Sequence, residues 1–435
     1  MSYETLLEKI NSKTVVASVI GLGYVGLPLA IEMAKSGLQV IAIDIDKVKI
    51  QKLKNGISYV VDIDQDELTN LVKTNKLIPT TDFSMIAGVD TVSICVPTPL
   101  RKTKDPDISY INSAVEQIKK YMHKNLLIIL ESTTYPGTTE EIIEKELSSL
   151  GFNAGKDYWL CFSPERVDPG NPEYCIKNTP KVIGGTTEQC STLAKTLYGM
   201  FIDTIVTISS TKAAEMVKLL ENTFRAVNIA LVNEMTLMCS RMGIDVWEVI
   251  DAAATKPFGF MSFFPGPGIG GHCIPLDPMY LSWKAKMYDF YNRFIELASD
   301  INGNMPYFVL SKFADILNQH GRCIKGTKIL ILGVAYKKNI DDVRESPALE
   351  VYEMLKRKEA VVEYSDPFVE TFKDKEGNFV HSVELTQQKL LEADCVILLT
   401  NHSLYNYNWI FQNSKLVFDT RNAFKNVRSK NIYKL

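Results

Sequence analysis

The apolar run Val15-Val16-Ala17-Ser18-Val19-Ile20 stops at Gly21, and glycines follow at 23 and 26 before a helix-like segment from Pro28 to Gly37. A second apolar run, Val40-Ile41-Ala42-Ile43, then ends on Asp44. Strand, glycine turn, helix and strand in that order make a βαβ unit, which commits this part of the chain to a parallel sheet. Each glycine has its own reason. Gly21 allows the tight turn, Gly23 lets a pyrophosphate approach the backbone, and Gly26 lets helix and strand pack closely; the unpaired N–H groups at the helix start then attract phosphate. The expected dinucleotide contacts are therefore Gly21, Gly23, Tyr24, Val25 and Gly26. Asp44 stands where a carboxylate accepts from the adenosine ribose hydroxyls and repels a 2′-phosphate, which selects NAD over NADP. Asp46, close behind, could share that role. A glycine triplet alone is a weak signal with a chance turn as the plain alternative, and the surrounding strand-helix-strand order is what strengthens it.

Further buried-strand candidates at Thr91 to Val96, Leu126 to Glu131 and Lys181 to Gly184 alternate with polar helical segments, so a first domain spans residues 1–208. From Thr211 to Met242 the pattern becomes a long helix without proline or glycine, with Met216, Leu219, Leu220, Val227, Leu231 and Met235 at helical spacing. A second helical stretch, Tyr280 to Gln319, completes a central domain over residues 209–320. Gly326 to Gly333 opens another strand-to-turn unit, followed by a helix near Pro347 to Lys358 and strands at Ala360 to Tyr364, Cys395 to Thr400 and Leu416 to Asp419. The fold class is thus α/β: two Rossmann-like, doubly wound parallel-sheet domains, 1–208 and 321–435, joined by a central long-helix domain. The second turn, Gly333-Val334-Ala335-Tyr336, lacks the glycine triplet, which favours a sheet that binds no dinucleotide of its own and leaves room for a different nucleotide.

The formal charge of −3 over 435 residues argues for neither a nucleic-acid nor a membrane surface, so any anion site must be local. The charged N-terminus lacks a signal-peptide core and no apolar run reaches bilayer length, making the cytoplasm the expected compartment. Eight scattered cysteines without a Cys-x-x-Cys pair fit reduced thiols, not a disulfide framework or a metal site.

One of those cysteines stands apart. Cys273 lies in Pro265-Gly266-Pro267-Gly268-Ile269-Gly270-Gly271-His272-Cys273, where the glycines bring backbone close to a ligand and leave little bulk above the thiol. A buried structural thiol is the ordinary alternative. A nicotinamide removes hydride and a thiol holds a carbonyl carbon, so the pair suits oxidation of an alcohol past the aldehyde to a carboxylate. Lys218 and Asn222 share one helix face, either as a solvated edge or, if the flanking Leu219, Leu220 and Phe224 are packed, as groups that stabilise an oxyanion. Asp277 either orients a water or lysine or simply caps a turn.

The chain resembles the nucleotide-sugar dehydrogenase family that contains the UDP-glucose and GDP-mannose dehydrogenases. The resemblance rests on Gly21 to Pro28, Val96-Pro97-Thr98-Pro99, Glu131-Ser132-Thr133, Ser163-Pro164-Glu165, the Lys218 and Asn222 helix, the Cys273 loop, and Tyr336-Lys337 with Arg344-Glu345-Ser346. It implies a four-electron oxidation of a sugar 6-hydroxymethyl by two NAD molecules in succession, with Cys273 as nucleophile, Lys218 and Asn222 on the alkoxide and thiohemiacetal oxygens, and Asp277 assisting lysine or water. It further implies Glu165, alongside Thr133, in thioester hydrolysis; Thr98, Thr133 and Arg344 on NAD; and Lys337 and Arg421 on the sugar or its diphosphate. No metal is expected. Arg166 after Ser-Pro-Glu and His272 before the cysteine resemble the branch acting on UDP-N-acetylhexosamines, with these side chains, Gly270 and the catalytic groups lining the sugar. UDP-N-acetylglucosamine is the first expectation, with the manno and galacto epimers open, since a hydroxyl orientation is not written in these residues. A homodimer or larger homo-oligomer is implied by the same resemblance. Two other readings stay open: a two-electron β-hydroxyacid dehydrogenase, which needs neither the thiol nor the last hundred or so residues, and a non-catalytic nucleotide-sugar sensor.

Overall fold

The computed structural model describes residues 3–60, 63–101, 105–167, 171, 173–271, 273–427 and 429–435. The chain forms two compact units, Met1–Glu221 with Met279–Phe290, and Asn222–Pro278 with Tyr291–Leu435. The long helix Thr211–Met242 therefore supplies residues to both.

The first unit is built on eight strands: β1 Val16–Ile20, β2 Gln39–Ile43, β3 Leu77–Thr80, β4 Thr91–Ile94, β5 Leu127–Leu130, β6 Trp159–Phe162, β7 Lys181–Gly185 and β8 Ile205–Ile208. Their order is β3-β2-β1-β4-β5-β6-β7-β8. Leu127 and Ile129 enter one apolar cluster while Ile128 and Leu130 enter another, so the two-residue period of a strand serves both covered faces and the sequence reads as an unbroken apolar run. The order reverses between β1 and β4, and the glycine turn leaves β1 at that switch point, where open α/β sheets bind ligands. One expectation fails: β7 pairs antiparallel with β6, Cys161 facing Gly185, so the sheet is parallel only on either side of that seam. The strands β3, β6 and β8 escape the sequence reading. β3 carries Pro79, which an edge strand tolerates because its missing N–H faces no neighbour.

The second unit carries a parallel sheet of order β10-β9-β13-β14-β15, with β9 Lys328–Leu332, β10 Val361–Ser365, β13 Cys395–Leu398, β14 Val417–Asp419 and β15 Ile432–Lys434. A small hairpin, β11 Thr371–Lys373 and β12 Phe379–His381, hangs beside it. The helix Pro347–Arg357 starts at the Ser346 cap with proline in its first turn, where the absent N–H costs nothing. The expected continuous helical stretch Tyr280 to Gln319 is two helices, Asp277–Lys286 and Arg293–Gln319, with Asp289 in the left-handed region (φ 54°) where the first has ended. Among the described residues no helix is long and apolar enough to cross a membrane.

Candidate active site

The glycine turn has the geometry a dinucleotide needs. Gly21 sits at φ 90°, and a Cβ there would meet the Cys95 carbonyl oxygen at 2.7 Å. A Cβ on Gly26 would collide with the Gly21 carbonyl, whereas one on Gly23 would meet nothing within 4 Å. Among the described residues nothing fills the space over Gly23, which suits a bound phosphate. The helix Gly26–Lys35 has no side-chain cap at its start, leaving that end to an anion. Asp44 accepts from Leu22 N at 2.8 Å and from Asp46 N at 2.9 Å, which aligns its carboxylate beside the turn. Asp46 is instead the cap of the helix Lys47–Lys54, accepting from Val48 N and Lys49 N, so its carboxylate serves its own helix. Tyr24 is 43% exposed, and Tyr59, which the sequence reading passed over, donates to Leu22 O at 2.5 Å and braces the turn. Thr98 is buried, its carbonyl bonded by the Tyr280 hydroxyl, and Thr133 is half-buried beyond β5. These residues fit an NAD.

Past β5 and β6 the same unit holds a buried charge cluster. Glu165 accepts from the backbone of Arg166 and Val167, both at 2.7 Å, and lies 3.3 Å from Lys181 Nζ. Lys181, on β7, also donates to Glu131 at 2.5 Å, and the Tyr198 hydroxyl bonds the other Glu131 oxygen. Burial works to raise the Glu165 carboxyl, but Lys181, the two amides and the Lys218 charge outweigh it and hold it below the usual carboxylate range. Arg166 spends its guanidinium on Glu221, at 2.7 Å, and on the Pro180 carbonyl, at 2.6 Å.

On the long helix Lys218 is half-buried and Asn222 buried, one turn apart. The expected packing is one-sided: Leu219 is inaccessible, but Leu220 and Phe224 are 63% and 48% exposed, because successive apolar residues on a helix point away from one another. Asn222 Nδ2 donates to Asp277 Oδ2 at 2.5 Å. Asp277 is therefore an orienting group for the asparagine, a role the sequence offered only for a lysine or water. Its own N–H bonds the Cys273 carbonyl at 2.8 Å, placing the cysteine at the head of the helix Asp277–Lys286. Cys273 is exposed, as are Cys175 and Cys323, while Cys95, Cys161, Cys190, Cys239 and Cys395 are buried. His272 lies outside the described residues.

The loop leading to Cys273 rests on the rest of its unit. Asn233 accepts from Gly266 N at 3.1 Å and donates to Asn302 at 2.9 Å, a buried amide pair from two helices. A Cβ on Gly266 would collide with the Arg421 guanidinium; one on Gly270 would sit 2.6 Å from Tyr336, and one on Gly271 2.7 Å from its ring. Gly271 N bonds the Arg344 carbonyl at 2.9 Å. Arg421 Nε is held by the Leu399 carbonyl at 2.9 Å, and burial lowers its pKa to about 10, against the pull of Asp419, leaving it charged at neutral pH. Arg344 forks onto Asp342, and Lys337, half-buried, follows Tyr336 on the turn after β9. So Cys273, Asn222, Asp277, Gly270, Tyr336, Lys337, Arg344 and Arg421 belong to the second unit; the dinucleotide turn, Thr133, Glu165, Arg166 and Lys218 belong to the first.

Comparison with known proteins covers the chain in three parts. Residues 15–202 match the UDP-glucose/GDP-mannose dehydrogenase family NAD binding domain, residues 212–304 its central domain and residues 330–426 its UDP binding domain. A UDP-N-acetyl-D-mannosamine dehydrogenase from Pyrococcus horikoshii is 35% identical over 94% of this chain and 96% of its own length. A UDP-N-acetyl-D-glucosamine 6-dehydrogenase from Salmonella typhi is 33% identical over 89% and 90%. The solved structure of a UDP-D-ManNAc dehydrogenase from Pyrococcus horikoshii superposes with a TM-score of 0.87 at 34% identity, covering 96% of this chain and 98% of that one.

Proposed function

Since the chain belongs to the UDP-glucose/GDP-mannose dehydrogenase family and is an NAD-dependent oxidoreductase, we propose that it oxidises the 6-hydroxymethyl of a UDP-N-acetylhexosamine to the carboxylate in two successive steps. The observation that carries this reading is the exposed Cys273 thiol at a helix head, beside the bonded Asn222 and Asp277 pair. An NAD held at the Gly21 to Gly26 turn beside Asp44 would supply the hydride acceptor for each oxidation of C6. Lys218 and Asn222 stabilise the C6 oxygen as its proton leaves, with Asp277 fixing the rotamer of Asn222. The Cys273 sulfur adds to the aldehyde carbon, giving a thiohemiacetal whose second oxidation leaves a thioester. Glu165 then takes a proton from water as the new C–O bond forms and the C–S bond breaks, returning the thiol and releasing the acid. Arg421 and Lys337 supply positive charge for the nucleotide diphosphate, and Arg344 for the dinucleotide. Gly270 lets the Cys273 loop lie against Tyr336, which fixes the backbone offered to the sugar. Arg166 and His272 stay the candidates for the 2-acetamido group, Arg166 through the geometry its bond to Glu221 imposes.

On the choice of epimer, the mannosamine enzymes among the relatives put UDP-N-acetylmannosamine at least level with UDP-N-acetylglucosamine. The exposed Leu220, Phe224, Leu231 and Met242 of the long helix suit a homo-oligomer, and eight cysteines outside any disulfide suit the cytoplasm. Counting NADH per sugar with each UDP-N-acetylhexosamine tests the reading: two are expected, and one would return the two-electron alternative. Cys273→Ser should retain NAD binding and lose uronate formation by a factor of about a thousand or more, as for loss of a covalent nucleophile. Uronate at the original rate from that variant would end the covalent route.

A further inference from the structure

A buried carboxylate and a buried ammonium, Glu131 and Lys181, stand behind the half-buried Glu165 of the Ser163-Pro164-Glu165 turn, and the chemistry above uses only Glu165. Lys181 is 4% exposed and Glu131 1%. An ion pair taken out of water survives only with full compensation, and as a contributor to stability it is often no better than an apolar pair of the same volume. Its presence at a reacting group therefore points to a task. Lys181 reaches Glu131 at 2.5 Å on one side and Glu165 at 3.3 Å on the other, and Glu131 is tied down by Tyr198, whose hydroxyl also lies 3.3 Å from Ser93 Oγ.

We propose that Lys181 is a positioning residue for hydrolysis of the enzyme-bound thioester: it holds the Glu165 carboxylate in one orientation and one charge state, and Glu131 is the counter-charge that keeps Lys181 in the core. This rests on Glu165 being the hydrolytic base. The groups facing Glu165 act in both directions. Lys181 on β7 and Lys218 on the long helix favour its charge; Glu131 at the end of β5 disfavours it; Cys95 and Tyr198 abut the Lys181 and Glu131 side. Arg166, next in the chain, turns its side chain to Glu221. Burial works against the Lys181 charge, and the two carboxylates more than offset it, so the ammonium persists. Burial raises the Glu131 carboxyl, while Lys181, the two amides and Lys218 outweigh burial at Glu165 and hold it down.

The test compares three variants of the full-length enzyme with UDP-sugar and NAD in excess. Glu165→Gln should release about two NADH per site in a burst and then stall as thioester accumulates. Lys181→Met combined with Glu131→Gln removes the ion pair without stranding a buried charge, and should give the same burst with the acid limb of kcat moved up by about one pH unit or more. Glu131→Gln alone keeps the Tyr198 bond and leaves Lys181 to Glu165, so the limb should move down. Opposite displacements support the proposal, and Glu131→Gln alone decides it if the double variant does not fold. A limb that stays put in Glu131→Gln, or moves the same way in both, overturns it. A Glu165→Gln enzyme without the stall would instead overturn the assignment of Glu165, which separates the two failures.

Discussion

The two sheets carry the same device with opposite contents. After β1 the chain turns at Gly21 and an acid, Asp44, closes the neighbouring strand; after β9 it turns at Gly333 and Asp366 stands at the same place. Both glycines are forced, since a Cβ on Gly21 would strike the Cys95 carbonyl and one on Gly333 the Thr400 carbonyl. The acids then diverge. Asp44, at 8% exposure, accepts backbone bonds from Leu22 N and Asp46 N, one on each oxygen, which leaves further lone pairs on both. Asp366 accepts from Val334 N, Ala335 N, Phe368 N and Val369 N and from His402 Nε2 at 3.1 Å, which fills it. His402 Nδ1 in turn accepts from Asn339 N at 2.9 Å, clipping the far side of the Tyr336-Lys337 turn. One turn is open to a dinucleotide and its counterpart is bonded shut by its own chain, so the fold unit alone decides nothing and the partner of one carboxylate decides a great deal.

Asp366→Ala probes that difference most strongly. It strands a buried histidine and several amides, so the second unit should lose about 3–5 kcal/mol of stability in denaturant melts, while Asp44→Ala should spare stability more and weaken NAD instead. Equal stability losses at the two acids would erase the contrast. The glycines sharpen it next. Gly23→Ala should fold like the parent and lose NAD affinity about tenfold or more, because the open volume belongs to the ligand, whereas Gly26→Ala should cost the fold itself through the clash with Gly21; fluorescence titration and thermal melts separate the two. The smallest effect concerns Glu215, inaccessible on the long helix and bonded by Gly137 N and by Thr139 N and Oγ1. Burial, opposed by those bonds, raises its carboxyl from 4.5 to about 7. A raised folded pKa means stability is fully present below 4.5 and falls as pH climbs toward 7, and Glu215→Gln should flatten that slope of the first unit. An unchanged slope would show that the bonds, not burial, set its charge.

How much of this was legible follows from distance along the chain. The β1 turn, Asp44 and the Lys218 and Asn222 face could be read because their meaning lies within one element or between two consecutive ones. The bond of Asn222 to Asp277 spans 55 residues and that of Lys181 to Glu131 spans 50, and no periodicity announces either. Lys181 looked like the polar first residue of a strand. The break after Lys286 carries no glycine or proline; Asp289 adopts positive φ amid exposed Met287, Tyr288, Phe290 and Tyr291, whose hydrophobicity read as helix. Leu220 and Phe224 are exposed for a similar reason: apolar character alone does not say that a side chain is covered, since much of a folded surface is apolar.

The wall that Tyr336 raises against Gly270 and Gly271 has an evolutionary corollary. Gly270 and Gly271, which lead to Cys273, leave empty space matched to an aromatic ring more than sixty positions downstream, so neither half can drift without the other. Exchanging terminal domains between homologues would break this fit unless the glycine segment travelled with its ring, which makes the two a single heritable cassette.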